Sequence, residues 1–240
     1  MTAPRFLDAG ECALVVEFGD RIDDAIAEKV LALDAALTLT TPPGIVELVP
    51  TYRSLMIHYD PLITTRATLV DAVTDALRST TSAAAKPRLW HLPACYDASL
   101  GEDLEHVAAT TGLSVAEVIR LHACARYRVV MYGFAPGWAY LSGLPPELKL
   151  PRRTSPRDRI PEGSLIIAGG QAIVAGGAMP SGWHILGRTP ERLFSPGRDP
   201  TFLVAVGDIL TFEPVSLSTF DQLQRSVAAG EVVSQSEPAL

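Results

Sequence analysis

Glycine and proline recur every few residues from residue 133 onward, and this spacing limits what the second half of the chain can form. The apolar runs between them are short, and they include SLIIAGG, QAIVAGG, WHILGRT, TFLVAVG and ILTFEPV. Helices need longer uninterrupted periodic segments, whereas short strands joined by tight turns accommodate this pattern. We therefore expect a β-sandwich or a small β-barrel in this region.

The first third of the chain shows helical and strand periods in alternation. Three apolar runs predict strands, at 11–19, 44–50 and 53–60. Apolar residues at three- and four-residue steps predict helices at 22–37 and 64–79. A further strand is predicted at 88–96. The resulting order, βαββα followed by this strand, is compatible with a ferredoxin-like half.

Residues 80–87, TTSAAAKP, are small and polar and end in proline, which makes them the best candidate for a linker between domains. They divide the chain into domains at 1–86 and 87–216. The second domain begins with predicted helices at 101–112 and 114–125 and a predicted strand at 126–134. The second of these helices opens with a capping box formed by Ser114 and Glu117. The polar residues 217–240 are expected to form a frayed tail.

Composition and motifs argue against several classes of function. The net charge of −7 argues against nucleic-acid binding through a dominant basic surface. No apolar run approaches the roughly 20 residues of a membrane helix, and MTAPRFLDAGE does not resemble a signal peptide, so the cytoplasm is the expected compartment. The sequence contains no GxxxxGK[ST], HExxH or CxxC motif, so neither a self-contained phosphate-binding loop nor a metal site is predicted.

The segment YGFAPGWAYLSGLPPEL, at 132–148, combines aromatic residues with three glycines. It has no helix or strand period, so a long ordered loop is predicted, and loops of this length are usually functional. Phe134, Trp138 and Tyr140 offer flat apolar walls, and two of them carry polar groups. A loop that only covers one end of a barrel is the alternative.

Four arginines fall within eight residues of the segment LPRRTSPRDRIPEGS, and they are Arg152, Arg153, Arg157 and Arg159. The prolines between them restrict the backbone, so we expect the guanidinium groups to be displayed rather than buried. Guanidinium groups bind carboxylates and phosphates as planar forks. The segment therefore predicts an anion site, with a solvated turn or a surface that pairs with a partner protein as the alternative.

Two further segments, IAGGQ and MPSGWHILGRTP, carry groups suited to binding. Gly170 permits close approach of a ligand or backbone, and Gln171 can both donate and accept hydrogen bonds. Strand alternation predicts that one of Trp183 and His184 points inward and the other outward. Proton transfer and a structural role are both open for His184. Arg188 is a candidate for ligand binding or for a buried ion pair.

The segments MYGFAPGWAYLSGLPPEL, PRRTSPRDRIPEGSLIIAGGQ and SGWHILGRTPERLF together resemble the signature of the allophanate hydrolase subunit 1 family, which includes the B-type component of 5-oxoprolinase and the kinase inhibitor KipI. ALVVEFG and GIVELVPTYRSLMIHYDP fit the same family, so the resemblance covers about residues 8 to 215. It implies an α+β protein with a ferredoxin-like N-terminal domain and a cyclophilin-like β-barrel domain. The chain departs from the family pattern at Trp138, where phenylalanine is usual, and at Ala139, Ser181 and His184.

The resemblance also implies an activity that needs partner proteins. Family members pair with a cyclophilin-like subunit 2, which is the C-type component in 5-oxoprolinase, and a LamB/YcsF-type component, the A-type, joins them in that enzyme. The chain is then expected to be inactive alone and to share ATP with its partner in opening the lactam of 5-oxoproline to give glutamate. The alternatives are a carboxyltransferase-type module for urea-like or other amides, as in urea carboxylase, and a histidine-kinase inhibitor like KipI.

The segments of the second domain are expected to converge at one end of the predicted barrel. The predicted catalytic residues are His184, Gln171 and Arg157. The residues predicted to bind substrate or nucleotide are Arg152, Arg153, Arg159, Tyr140, Trp138, Phe134, Gly170 and Arg188. In this hypothesis Arg157 and Arg159 hold an anionic group, Gln171 contacts a carbonyl or amide, and His184 supplies a proton or a hydrogen bond.

Overall fold

The computed structural model describes residues 3–79 and 87–239, and the chain divides into two compact units, 1–86 and 87–240. The predicted linker lies outside the described residues except for Pro87. Each unit combines helices with antiparallel sheet, which confirms the predicted α+β class. In the described part of the chain, no helix is both long enough and apolar enough to cross a membrane.

The first unit is a four-stranded antiparallel sheet with two helices. Its strands are β1 (Arg5–Asp8), β2 (Ala13–Glu17), β3 (Ile45–Pro50) and β4 (Ser54–Tyr59), in the order β1-β2-β4-β3, and its helices are α1 (Asp24–Thr40) and α2 (Arg66–Ser79). Most of the predicted apolar face of α1 is buried, and Val30, Leu33 and Leu37 pack with Leu55 and Ile57 of β4. Burial of this stripe against the sheet contributes to the unit's hydrophobic core, which α2 completes with Val73 and Ala76.

The edge of this sheet differs from the sequence-based prediction. The strand predicted at 88–96 is β5 (Arg88–Ala94), which pairs in the second unit, on the side of the predicted boundary at 86/87 where the predicted domains had put it. The edge strand beside β2 is β1, in which Leu7 lies opposite Val15. Most of β1 is exposed, so its short sequence RFLD carries no apolar run that would have marked it as a strand.

The second unit is built on an eight-stranded sheet. In spatial order its strands are β12 (His184–Arg188), β9 (Ser164–Ala168), β10 (Gln171–Val174), β7 (Ala139–Ser142), β6 (Tyr127–Tyr132), β13 (Ile209–Pro214), β5 and β14 (Gln235–Pro238). The pair β13–β5 is parallel, and the other neighbouring pairs are antiparallel. The remaining elements are α3 (Leu104–Thr111), α4 (Val115–Cys124), α5 (Leu217–Ala228), a 3₁₀ turn (Pro146–Leu148) and a ribbon of β8 (Arg157–Ile160) with β11 (Met179–Ser181).

The strand order of this sheet has two ends within the described residues, so its ladder is not a fully closed barrel. One antiparallel bridge nevertheless joins the two sides of the sheet. Cys95, which follows β5, exchanges backbone hydrogen bonds of 2.8 and 2.9 Å with Arg188 at the end of β12. The sheet is therefore strongly curved.

The two faces of strands β9 and β10 pack into different cores, because successive strand side chains point to opposite faces. Leu165 and Ile167 of β9 belong to the large core that also contains residues of α3 and α4. Ile166 and Ile173 belong to a smaller core, which contains Trp138, Trp183, Ile160 and Ile185. The smaller core is where the predicted aromatic residues meet.

The segment 132–148 is not one continuous loop, as the sequence had indicated. Ala139–Ser142 form β7, because Ala139 and Leu141 are buried between β6 and β10. The turn before β7 depends on glycine. Gly137 has a φ of +78°, and a Cβ added to Gly176 would lie 2.2 Å from the carbonyl carbon of Gly137. The two backbones can therefore approach this closely only with glycine at position 176.

The prediction of a frayed tail after residue 216 is wrong. Ser216 caps α5 by accepting a hydrogen bond from the Thr219 N–H, and Phe220 and Val227 are buried. Beyond α5, β14 pairs with β5. The polar composition concealed this element, because an amphipathic helix needs only a few buried residues when its other faces are solvated.

Candidate functional site

A cavity of about 150 Å³ lies on the side of the sheet that carries the smaller core. Four residues predicted from the sequence line it: Phe134, Trp138, Tyr140 and Arg152. The rest of its wall is formed by Ile173, Pro180, Ser181, Gly182 and Trp183. The structure thus brings together the aromatic segment, the first arginine of the arginine-rich segment and the residues just before β12. We call this space the aromatic cavity.

The walls of the aromatic cavity are held by contacts between rings. Phe134 meets Trp138 edge-to-face with centroids 5.1 Å apart, and Tyr140 meets Trp183 edge-to-face at 6.3 Å. Phe134 is 64% exposed and has a φ of +71°, a backbone conformation that residues other than glycine rarely adopt. Strained residues of this kind concentrate at binding and catalytic sites. The strain at Phe134 therefore supports a binding role for this wall.

Trp138 carries a polar group without a partner. Its side chain is only 2% exposed, and its Nε1–H has no hydrogen-bond acceptor among the described residues. A buried donor that stays unpaired costs about 1–3 kcal/mol. A ligand oxygen that accepted this hydrogen bond would remove the penalty and gain binding energy from it.

Arg152 places a cation beside the same cavity. Its guanidinium lies over the ring of Trp183, 5.6 Å from the ring centroid. Arg152 is exposed, and within residues 3–79 and 87–239 no carboxylate forms an ion pair with it. Stacking on an aromatic face orients a guanidinium and leaves its N–H edge free for an anion.

Arg153 and Arg157 do not line the aromatic cavity, and the expectation that they are displayed is wrong. Arg157 donates to both carboxylate oxygens of Asp103, at 2.8 and 3.0 Å, and lies 3.1 Å from a carboxylate oxygen of Glu102. Arg153 also donates to Asp103. The side chains of the two arginines are only 25% and 21% exposed. Their partner lies just before α3, about 50 residues earlier in the chain, so the arginine-rich segment alone could not reveal it.

The carboxylate of Asp103 is buried and accepts a further hydrogen bond, of 2.8 Å, from the Ile185 N–H. Burial by itself would raise the pKa of Asp103. The hydrogen bonds from Arg157 and Ile185, together with the charges of Arg157 and Arg153, outweigh burial and hold this pKa below its usual value. The cluster therefore joins the start of α3 to β8 and β12.

His184 lies outside the wall of the aromatic cavity and is 3% exposed. Its Nε2 donates to the carbonyl of Pro151 at 3.0 Å, so Nδ1 is the unprotonated nitrogen, and among the described residues Nδ1 has no partner. The ring stacks on His106 with centroids 5.4 Å apart. Burial lowers the pKa of His184, and the hydrogen bond to the Pro151 carbonyl only partly offsets this effect. The lowered pKa favours the neutral imidazole at pH 7.

Trp183 is buried as well, so the expectation that one of these two rings points outward is wrong. The two rings do lie on opposite faces, because Trp183 packs with Ile185 in the smaller core while His184 stacks on His106 of α3, but protein covers both faces.

The remaining predicted residues lie apart from the aromatic cavity. Gly169 and Gly170, both with positive φ, form the two-residue turn of the β9–β10 hairpin, and Gln171 begins β10 opposite Ala168. Arg159 is exposed on β8. Arg188 lines a separate cavity. The catalytic roles of His184, Gln171 and Arg157 thus stay predictions.

Pro180–Gly182 belong to the segment MPSGWHILGRTP that the sequence marked, but they were not among the predicted site residues, and neither was Ile173. Among the described residues, no group of three or more histidine, cysteine or acidic side chains is arranged to hold a metal ion.

The chain matches the family described as carboxyltransferase domain, subdomain C and D, over residues 4–204. It is 34% identical to the 5-oxoprolinase B subunit of Bacillus subtilis over 221 residues, covering 86% of this chain and 91% of that protein. It is 36% identical to the 5-oxoprolinase B subunit of Escherichia coli O157:H7 over 208 residues, covering 85% of this chain and 93% of that protein.

Two solved structures share the fold of this chain. TTHA0988 superposes with a TM-score of 0.75 at 32% identity, and the match covers 85% of this chain but 40% of that one. Urea carboxylase of Kluyveromyces lactis superposes with a TM-score of 0.79 at 18% identity, covering 98% of this chain and 24% of that one, a likeness of fold alone. The sequence signature is confirmed: the chain belongs to the carboxyltransferase domain, subdomain C and D, family and is homologous to the B subunits of 5-oxoprolinase.

Proposed function

We propose that this chain is the B-type component of a 5-oxoprolinase, a hydrolase that opens the lactam of 5-oxoproline to glutamate with ATP. The observation that carries the proposal is the aromatic cavity, which combines an unpaired arginine with an unpaired indole N–H in a chain that covers most of two 5-oxoprolinase B subunits. In this proposal the partners are a cyclophilin-like C-type component and a LamB/YcsF-type A-type component, and the complex works in the cytoplasm.

The chemistry of the cavity suits a small cyclic amide with a carboxylate. The fork of Arg152 is suited to the carboxylate, and the Trp138 N–H is suited to the lactam oxygen. The faces of Tyr140 and Trp183 cover a flat ring. These residues bind and orient the substrate and exclude water from one side of it.

The volume of the cavity limits what it can hold. At about 150 Å³ it is smaller than the roughly 300–1,000 Å³ of pockets for drug-sized ligands, so it fits one small ring and not a nucleotide. We therefore assign the nucleotide contacts to the complex rather than to this cavity. ATP, when bound, supplies the activation of a lactam carbonyl that resists hydrolysis.

We further propose that the first unit is ferredoxin-like and the second is a cyclophilin-like barrel. The order β2-α1-β3-β4-α2, with β4 between β2 and β3, supports the first assignment, and β1 takes the remaining edge position. The Cys95–Arg188 bridge across the curved sheet supports the second.

Reconstitution tests the proposed function. The chain is co-expressed with the C-type and A-type components of its own organism, and ATP hydrolysis and glutamate release are measured with and without 5-oxoproline. We expect 5-oxoproline-dependent turnover by the complex and none by the chain alone. Turnover by the isolated chain would contradict the need for partners, and an assembled complex that is inert towards 5-oxoproline would contradict the substrate.

The Trp138→Phe variant tests the indole donor, because it keeps a flat apolar wall and removes the N–H. One neutral hydrogen bond is worth about 1 kcal/mol, so the KM for 5-oxoproline should rise roughly fivefold with little change in kcat. Phe134→Leu is the control, since it changes the shape of the same wall without removing a hydrogen-bond donor or the ring beneath Arg152. An equal rise of KM in both variants would assign the effect to the shape of the wall.

A further inference from the structure

A second cavity, of about 250 Å³, lies between the turn that follows β12 and helix α5. Arg188 and Arg192 line it from the β12 side, Glu162 from the turn before β9, and Gln224 from α5. It shares no lining residue with the aromatic cavity. The sequence analysis had placed Arg188 in the substrate site, but the structure places its side chain here, and we call this space the arginine cavity.

Arg188 is half-buried, and its guanidinium has a backbone carbonyl as a hydrogen-bond partner but no carboxylate among the described residues. Its Nε and Nη2 both donate to the backbone carbonyl of Glu162, at 3.2 and 3.0 Å, and its guanidinium lies 5.6 Å from the centroid of the Phe220 ring. In the part of the chain that the structure describes, no carboxylate forms an ion pair with it. Burial lowers the pKa of Arg188, opposed by the charge of Glu162. A cation withdrawn from water without a paired anion is unfavourable.

Two acidic side chains, those of Glu191 and Glu162, line this cavity, and both already have partners. Glu191 is 2% exposed and accepts hydrogen bonds from the Val233 and Ser234 N–H groups, both at 2.8 Å, and from the Arg192 N–H at 3.0 Å. The Glu191 carboxylate therefore holds the segment between α5 and β14 in place through these hydrogen bonds. The Glu162 carboxylate lies 3.5 Å from Arg192 Nε. Arg188 and Arg192 therefore both line the arginine cavity, and the described ion pairs give a carboxylate partner, Glu162, to Arg192 alone.

We propose that the arginine cavity binds a small ligand through an anionic group, a carboxylate or a phosphoryl group. Arg188 supplies a preoriented guanidinium, Arg192 a second and more exposed one, and Gln224 a neutral amide donor. A bound anion would neutralise Arg188 and would join β12 to α5. Because the two cavities have separate walls, this site does not depend on the proposed function.

The test is a titration of the full-length chain with inorganic phosphate and, separately, with acetate at constant ionic strength, followed by the ¹⁵N–¹H resonance of Arg188 Nε. We expect a saturable shift with at least one anion. Saturation by phosphate alone identifies a phosphoryl site, and saturation by acetate alone identifies a carboxylate site. A shift that stays linear with both anions would overturn the proposal.

Variants decide whether the cavity is responsible for the binding. Arg192→Ala should weaken it at least tenfold, and it should fold because this side chain is about half exposed. Arg188→Lys keeps the charge but loses the planar guanidinium and should also weaken binding; it is followed by the side-chain amide resonance of Gln224, since the Arg188 signal is lost, and circular dichroism checks its fold. Arg225→Ala is the matched control, because Arg225 is exposed on α5 and does not line the cavity. Unchanged affinity in Arg192→Ala, or an equal loss in Arg225→Ala, would contradict the site.

Discussion

Replacing Asp103 with alanine is expected to lower the free energy of unfolding of the second unit by roughly 3 kcal/mol, because removing one partner of a buried ion pair leaves uncompensated charge. Two arginines lose their carboxylate, and the Ile185 N–H loses its acceptor. The figure is at the lower end for buried pairs, since both arginine side chains are partly exposed to water. Urea denaturation followed by tryptophan fluorescence measures it, because Trp90, Trp138 and Trp183 all lie in this unit.

The same cluster predicts a pH dependence. The pKa of Asp103 is lower in the folded chain than its usual value, so its stabilisation is fully present above the unfolded-state pKa of about 3.9. It is lost as the pH falls through the folded-state pKa. The difference in stability between wild type and Asp103→Ala should therefore be constant near pH 7 and shrink below about pH 4.

Asp158→Ala is the matched control for both measurements. Asp158 is an exposed carboxylate on β8, between Arg157 and Arg159, and substitutions at such surface positions usually change stability by less than about 0.5 kcal/mol. If Asp158→Ala were as destabilising as Asp103→Ala, general charge balance and not the buried cluster would account for the loss.

Features set by neighbouring residues were predictable from the sequence. The capping box is confirmed, because the Ser114 hydroxyl accepts from the Glu117 N–H while the Glu117 carboxylate accepts from the Ser114 N–H. The apolar stripe of α1 is buried as predicted at Val30, Leu33 and Leu37, whereas Ile22 lies before the helix and is 53% exposed. Both depend on spacings of a few residues, which helix geometry fixes without reference to the rest of the chain.

Features set by distant residues were not predictable. Whether an arginine is displayed or buried depends on the carboxylate that reaches it, and Asp103 lies 54 residues before Arg157. The wall of the aromatic cavity combines residues that are neighbours in the sequence with residues that are distant in it. Phe134, Trp138 and Tyr140 come from one motif, whereas Pro180 and Trp183 join them only because the curved sheet brings two segments together. A motif can therefore supply the wall of a site without revealing which residues face it.

Arg152→Ala should produce the largest loss of activity in the reconstituted complex. Removing a charge-assisted hydrogen bond to a carboxylate costs about 1.5–3 kcal/mol, or roughly ten- to 150-fold in kcat/KM for 5-oxoproline. Folding should be unaffected, since Arg152 is exposed. Among the described residues its guanidinium stacks on the Trp183 ring and forms no ion pair. Thermal unfolding of the variant checks this, and Arg152→Lys should recover part of the loss, because it restores the charge without the planar fork.

Arg159→Ala separates the aromatic cavity from the arginine-rich segment as a whole. Arg159 is exposed on β8 and does not line the cavity, although the sequence analysis gave it the same anion-binding role. If the cavity holds the carboxylate, Arg159→Ala should keep kcat/KM within about twofold of wild type while Arg152→Ala loses at least tenfold. Equal losses would assign the anion to the whole segment. Near-normal turnover in Arg152→Ala would place the carboxylate site outside the aromatic cavity, because no second arginine of the described residues lines its wall.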